Sequence, residues 1–517
     1  MAKHGVYADK RVQQRSSSVP DEIRSRSWRP IETFHAGLCG GKLRGARGLR
    51  LRFPVCDPSV IRVTAPQFFP FLSLVSPLTL HPNQPLSGHS NEGLDGLQID
   101  IYMDIYAWGF NAFRQLAQHT EEDILSPLRI ASADNAQILF VSWSETLVLL
   151  NKSYRLLGGA SSCLSSTIGL SETSCPDVIP ASFFGAHEGV QGCISGTGQL
   201  FFLDTHPFKR SMIDHTSSTT SLKAFQRFGM NLDPIKLTHI SIAGNSRVAV
   251  TFCEKSEGTP PRTYILQFGT VEEFRTWYKS HPFFDTSGKA DPLPPTSSSG
   301  IRHSFYVIPG LSSQLVSGAT SFGLLTSTGC IYTWGDSRYV RCLGRPIADL
   351  SSASIPTQIP YLSETRVEKI ASGSWMSGAL SNEGELFIWG QGNPSSNGEI
   401  AALRTVREET DNEDEEDEFV KEVCVTIDNL RACVYDFGIG SGHLVVAAEV
   451  NNLEKVLKRA LFCAGQGEIG QLGLGQKLQF LANLAEVQEL SMKRVRSVAC
   501  GGNNSFVVVD SLSTVEA

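Results

Sequence analysis

One short pattern of strands and glycines recurs along this chain, and one of its copies is divided between the two ends. Ser317-Gly318 through Leu324-Leu325, followed by Thr328-Gly329-Cys330-Ile331-Tyr332-Thr333-Trp334-Gly335, matches Ser372-Gly373 through Ala379-Leu380, followed by Glu383-Gly384-Glu385-Leu386-Phe387-Ile388-Trp389-Gly390. The pattern is a glycine, a strand, a glycine turn, a second strand and Trp-Gly. A third copy has its first half at Ala499-Cys500-Gly501 through Phe506-Val507-Val508-Val509 and its second half at Ile105-Tyr106-Ala107-Trp108-Gly109. Splitting one unit between the termini closes a ring of small antiparallel sheets and removes the free sheet edge that would template aggregation. The expected fold is all-β, a β-propeller closed by pairing N- and C-terminal strands.

Degenerate copies occupy Val141 to Leu157, Gly185 to Leu203, Ile242 to Gly269 and Phe437 to Gly465. The second-half strands then end near Trp108, Leu157, Leu203, Phe268, Trp334, Trp389 and Cys463, which predicts seven blades. Each unit buries both faces only by stacking on its neighbours. The Trp at the strand end is expected to pack between blades.

The pattern resembles the regulator-of-chromosome-condensation repeat family, whose unit runs Gly-x-x-His-x-x-Ala-Leu, a Gly turn, an aromatic strand ending Trp-Gly, then Gly-x-x-Gly-Gln-Leu-Gly. The last part stands intact at Gly467-Glu468-Ile469-Gly470-Gln471-Leu472-Gly473, and a weaker version at Asn111-Ala112-Phe113-Arg114-Gln115-Leu116. The family's His occurs once, as His443 after Gly440; its equivalents are Arg247, Ser321, Met376 and Asn504. Most family members use that His structurally, so the resemblance implies a structural His443. It covers about residues 104–510, loosely between 120 and 300.

The 102 residues before Met103 are unlike the rest. They hold 13 Lys/Arg against 8 Asp/Glu, are rich in Arg, Ser and Pro, and show no sustained period. Residues 1–102 are read as a low-structure, disordered leader, and 103–512 as the propeller. Met103 leads straight into the first strand, so the leader is a candidate gene-model extension. A mitochondrial transit role fits poorly because Asp9, Asp21, Glu22 and Glu32 interrupt the basic run.

The whole chain carries a formal charge of −7, and the basic leader makes the remainder more acidic still. An acidic body repels phosphate backbones, which argues against nucleic acid and for protein partners. No run approaches the ~18 apolar residues of a membrane helix. The 12 cysteines form no Cys-x-x-Cys pair; Cys163 and Cys175 lie in a Ser-rich stretch, while Cys193, Cys330, Cys463 and Cys500 fall in apolar strands. They are read as reduced core thiols, which places the protein in the cytoplasm and nucleus. A single polypeptide can close such a ring, so a monomer is expected.

Chemistry-bearing motifs are few. Gly465-Gln466-Gly467-Glu468-Ile469-Gly470 has dinucleotide-loop spacing, but Gln471-Leu472-Gly473-Leu474-Gly475 cannot open the required helix. No nucleophile, metal cluster or cofactor is nominated. The acidic run Glu408 to Glu418, within an insert at 405–420, lacks the central glycine of a calcium loop and is read as disordered. Asp291 to Gly300 and Pro394 to Gly398 are read as surface loops.

These features describe a non-catalytic scaffold that binds protein partners. The short opening strand and divergent middle blades look most like the fungal alpha-tubulin-suppressor branch. That resemblance implies a small zinc-binding electron-carrier protein of diphthamide synthesis and Elongator-dependent tRNA wobble modification as partner. The alternative is guanine-nucleotide exchange on a Ran-type GTPase, with residues 1–53 as a basic tail; a third class is a propeller lid or inhibitor acting directly on an enzyme. Partner contacts are expected just after the Trp-Gly strands or in the inner loops, at Asn111, Arg114, Asp336, Arg338, Trp375, Gln391 and Glu468.

Overall fold

A computed structural model describes residues 99–514, apart from 118, 159–166, 170–179, 188, 204–219, 222–224, 229–234, 256–257, 281–300, 351, 395, 397, 405–418 and 453–454. The expectations for the leader, the acidic insert, the 291–300 loop, Cys163 and Cys175 lie outside the described residues, and the strand that opens the propeller starts at Ile99, ahead of Met103.

Seven sheets form the blades, numbered here from the N-terminus; six are four-stranded and antiparallel, and blade 2 adds a fifth strand, Thr220–Ser221, parallel to Thr167–Gly169. Blade 1 combines Val495–Cys500 and Asn504–Thr514 with Ile99–Gly109 and Ile124–Ala133. Its central pair runs in unbroken register from Ile99 opposite Thr514 to Gly109 opposite Asn504. The inner strands of blades 2 to 7 are Ala136–Val141, Pro180–Ala186, Ile235–Ile242, Ser312–Ser317, Val367–Gly373 and Cys433–Ile439. The ring therefore closes as the divided repeat requires.

Consecutive blades meet through apolar wedges. Trp334, stacked on Phe322 at 5.4 Å, joins Ile265 and Ile308 between blades 4 and 5. Trp389 packs with Ile359 and Leu362 between blades 5 and 6, and Trp108 with Val445 and Leu472 between blades 7 and 1. The strand-end tryptophans are thus core groups, as their alternation with glycine suggested.

The Gly-Gln-Leu-Gly turn explains its own composition. Gly473 and Gly344 have φ of 70° and 64°, and each lies flat against the tryptophan of the next blade. A Cβ would sit 2.8 Å from Trp108 at the first and 2.9 Å from Trp389 at the second. Only glycine satisfies both demands. Gln471 and Gln115 shape equivalent turns, each accepting through Oε1 from the backbone N–H two residues earlier, at 3.1 Å.

His443 sits opposite Gly465, as Ser321, Met376 and Asn504 sit opposite Gly335, Gly390 and Gly109. Fully buried, its Nε2 lies 3.0 Å from Ser505 Oγ. Ser505 donates its hydroxyl proton to the Gln471 carbonyl at 2.9 Å, so His443 Nε2 is the donor. That carbonyl also accepts from Trp108 Nε1 at 2.9 Å. The family's histidine here ties blade 7 to blade 1.

Among the described residues one α-helix interrupts the β structure. Val271–Ser280 lies between the third and fourth strands of blade 4 and buries Phe274, Trp277 and Tyr278. Among the described residues no helix is long and apolar enough to cross a membrane.

Candidate functional site

In a four-stranded antiparallel blade, the turn after the first strand and the connection after the third emerge on the same face. In blade 6 these carry Trp375 and Gln391, and in blade 5 Asp336 and Arg338. The inner-strand ends converge here around the central channel, a cavity of about 570 Å³. Its wall is mostly glycine, alanine and serine, among them Gly244, Ser317, Gly373 and Gly501. Backbone bonds link neighbouring turns around this mouth: Trp143 N–H to His187 O at 3.2 Å, Gly244 to Gly318 at 3.0 Å and Ser441 to Gly502 at 2.8 Å, with Ala319 also bonded to Ser374. The mouth is therefore a rigid frame.

Aromatic groups stand at this face in two clusters. Near blades 5 and 6, Tyr339 and Trp375 lie 4.4 Å apart, and the Arg338 guanidinium lies 5.6 Å from the Tyr339 ring centre. Asp336 caps the short helix Ser337–Leu343 by accepting from Arg338 N–H at 3.0 Å. It also grips the Arg338 side chain, with Nη2 at 2.6 Å, and that bond holds its carboxyl below the usual range. Near blades 1 to 3, Phe110 stacks on Trp143 at 5.6 Å, Phe113 meets the same indole edge-on at 5.1 Å, and His187 lies 5.5 Å beyond. Phe110, Phe113, Trp143, Tyr339 and Trp375 are half-buried and His187 is exposed, so their rings remain partly available.

The expected contact residues divide. Asp336, Arg338, Trp375 and Gln391 come together, with Gln391 N–H bonded to Trp375 O at 3.0 Å. Arg114 is half-exposed and paired with Glu121 at 2.8 Å, and Glu468 is exposed on the blade 7 turn. Asn111 is a correction. It is fully buried, donates to Ala117 O and Thr120 O, and accepts from Leu116 and Ala117 N–H. An amide so engaged has nothing to offer a partner.

Phe110 occupies the presented position instead. It follows Gly109 as Asp336 follows Gly335, Gln391 follows Gly390 and Gln466 follows Gly465. Each donates its backbone N–H to the first turn of its own blade, at Asn503, Thr320, Trp375 and Gly442 respectively. The sequence signal was the Trp-Gly step, counted one residue too far in blade 1. Trp143 and His187 lie in first turns of degenerate blades, where no intact repeat marks them.

The regulator of chromosome condensation (RCC1) repeat matches residues 328–380, the glycine turn and Trp-Gly strand of blade 5 and the first two strands of blade 6. The propeller thus carries an RCC1 repeat. The mouse RCC1 domain-containing protein 1 is 27% identical over 215 residues, 38% of this chain and 54% of that protein. The Arabidopsis thaliana RCC1 domain-containing protein RUG3, mitochondrial, is 30% identical over 106 residues, 20% of this chain and 21% of that protein. The RCC1-repeat chain thus spans about half the length of the first relative and a fifth of the second. Among solved structures, Prp20p of Saccharomyces cerevisiae aligns with a TM-score of 0.44 at 15% identity, covering 79% of this chain and 91% of that one. Human WBSCR16 aligns at 0.35 and 14%, covering 79% and 98%. Both likenesses are too distant to bear on function.

Proposed function

We propose that this RCC1-repeat propeller is a non-catalytic platform that binds a protein partner across the channel-mouth face. The observation that carries the reading is the pair of partly exposed aromatic clusters, Phe110–Phe113–Trp143–His187 and Tyr339–Trp375, on a backbone-locked frame. Aromatic side chains lose little entropy on binding, and together with arginine they dominate interface energetics. Asp336 pre-sets Arg338, so its guanidinium is presented in one orientation. The acidic character of the chain favours a basic partner surface. We assign the activity to the cytosol and nucleus on the strength of the reduced cysteines.

The resemblance to the alpha-tubulin-suppressor branch makes a small zinc-binding electron carrier the first partner to test. A second reading, guanine-nucleotide exchange, draws on a mouse relative named RCC1-like G exchanging factor-like protein, 28% identical over 68 residues, or 14% of its length. Affinity capture with the full chain, followed by a nucleotide-release assay on any GTPase recovered, separates the two. The platform reading expects a captured partner and no acceleration of release. A recovered Ran-type GTPase whose nucleotide leaves faster in the presence of the chain would overturn it.

A further inference from the structure

On the opposite face, where blade 6 hands over to blade 7, two exposed cysteines are held close by the backbone. The chain leaves the outer strand Val420–Glu422, makes a hairpin of Thr426–Ile427 and Leu430–Arg431, and enters the inner strand of blade 7 at Cys433. Asp428 and Asn429 both have positive φ, 52° and 64°, the conformation of a tight two-residue hairpin turn. Register runs from Ile427 opposite Leu430 to Thr426 opposite Arg431. Ala432 N–H then bonds to Val425 O at 2.9 Å. Extending that register two residues past Thr426 and Arg431 sets Cys424 opposite Cys433.

Beyond that point both segments attach to one short stretch of blade 6. Val423 N–H bonds to Leu386 O at 2.7 Å and Val434 N–H to Gly384 O at 3.0 Å, so the two cysteines hang from carbonyls two residues apart. Their side chains share a face. Val423, Val425, Ile427, Ala432 and Val434 are buried, whereas Cys424 and Cys433 are exposed, with Cys433 Sγ 3.5 Å from Glu383 O on the neighbouring blade 6 turn. Opposed positions on paired strands hold their Cα atoms about 4.5 to 5.5 Å apart, within the range of about 4.4 to 6.8 Å that a disulfide spans. Of the six other described thiols, Cys193, Cys342, Cys463 and Cys500 are pushed up to about 12 by burial, Cys253 is buried and Cys330 half-buried.

We propose that Cys424 and Cys433 form a dithiol modification site that a low-molecular-weight disulfide such as glutathione disulfide converts to an internal disulfide. One cysteine, as thiolate, attacks the small disulfide; a mixed disulfide forms and one small thiol leaves. The second cysteine attacks the protein-side sulfur of that bond, forming the Cys424–Cys433 bond and releasing the second small thiol. The protein loses two electrons, the small disulfide gains them, and the two cysteine protons end on the released thiols. The product fastens the outer strand of blade 6 to the inner strand of blade 7.

The test uses the full reduced chain incubated with glutathione disulfide, quenched with acid and alkylant, and digested with trypsin without reduction. Cleavage after Lys421 and Arg431 places Cys424 and Cys433 on separate peptides. The expected result is those two peptides linked, two hydrogens below their summed mass, and Cys433→Ser carrying glutathione on Cys424 instead. Wild-type peptides that each carry glutathione, that stay unmodified, or that pair with any other cysteine would overturn the proposal.

Discussion

His443 is held neutral by its surroundings. Full burial lowers its imidazole from the ordinary 6.5 to about 4. The unfolded chain takes up this proton below pH 6.5 and the folded chain only near pH 4. The contribution to stability is therefore complete above pH 6.5 and is lost as pH falls through that window, on the order of 3 kcal/mol in all. Urea unfolding at pH 7.5 and 4.5 checks it: the wild type is expected to lose more stability than His443→Gln, and parallel losses would remove His443 as the source. At this scale the sequence was legible wherever a glycine marks a backbone constraint, because Gly344 and Gly473 can be nothing else. It was less legible for exposed groups. Asn111 and Phe110 are adjacent, and the four hydrogen bonds of the buried Asn111 amide decide which one faces out.

Between elements, blades 6, 7 and 1 share a partly buried ionic tie, with Asp436 buried and Lys369 half-buried. Lys369 is bonded to Asp436, reaches Phe437 O at 2.7 Å and Val498 O at 3.3 Å, and Asp436 accepts from Val498 N–H at 2.6 Å. Removing Asp436 leaves the half-buried Lys369 ammonium without its counter-charge, a loss of up to about 3 kcal/mol. Asp436→Ala is expected to lose about that much in chemical denaturation, and a loss under 1 kcal/mol would mean that Lys369 finds solvent instead. No repeat pattern encodes this pair, since it joins residues 67 positions apart. The blade 4 helix, by contrast, was written in the sequence. Glu273 N–H donates to Thr270 Oγ1 while its carboxylate accepts from Gly269 N–H, and Val271, Phe274, Trp277 and Tyr278 follow at helical spacing. Reading the segment by strand repeats passed over it.

For the whole molecule, blade number was legible because the third strand places a glycine opposite the start of the second, at Gly109, Gly335, Gly390 and Gly465, and at Gly158 even where Trp has drifted to Leu157. The proposed binding face was legible in blades 5 and 6, where the repeats are intact, and hidden in blades 2 and 3. Trp143 and His187 meet there only because consecutive first turns are bonded around the channel. Two aromatic clusters on one rigid face predict that both contribute to one interface.

The most direct test is quantitative capture by the full chain and three sets of substitutions. Phe113→Ala with Trp143→Ala, and Trp375→Ala with Arg338→Glu, are each expected to lower partner recovery at least tenfold with the circular dichroism spectrum unchanged. Glu383→Lys, on the opposite face, is expected to capture as well as the wild type. Full recovery by both face variants, with loss for Glu383→Lys, would contradict the account and move the interface to the other side of the propeller.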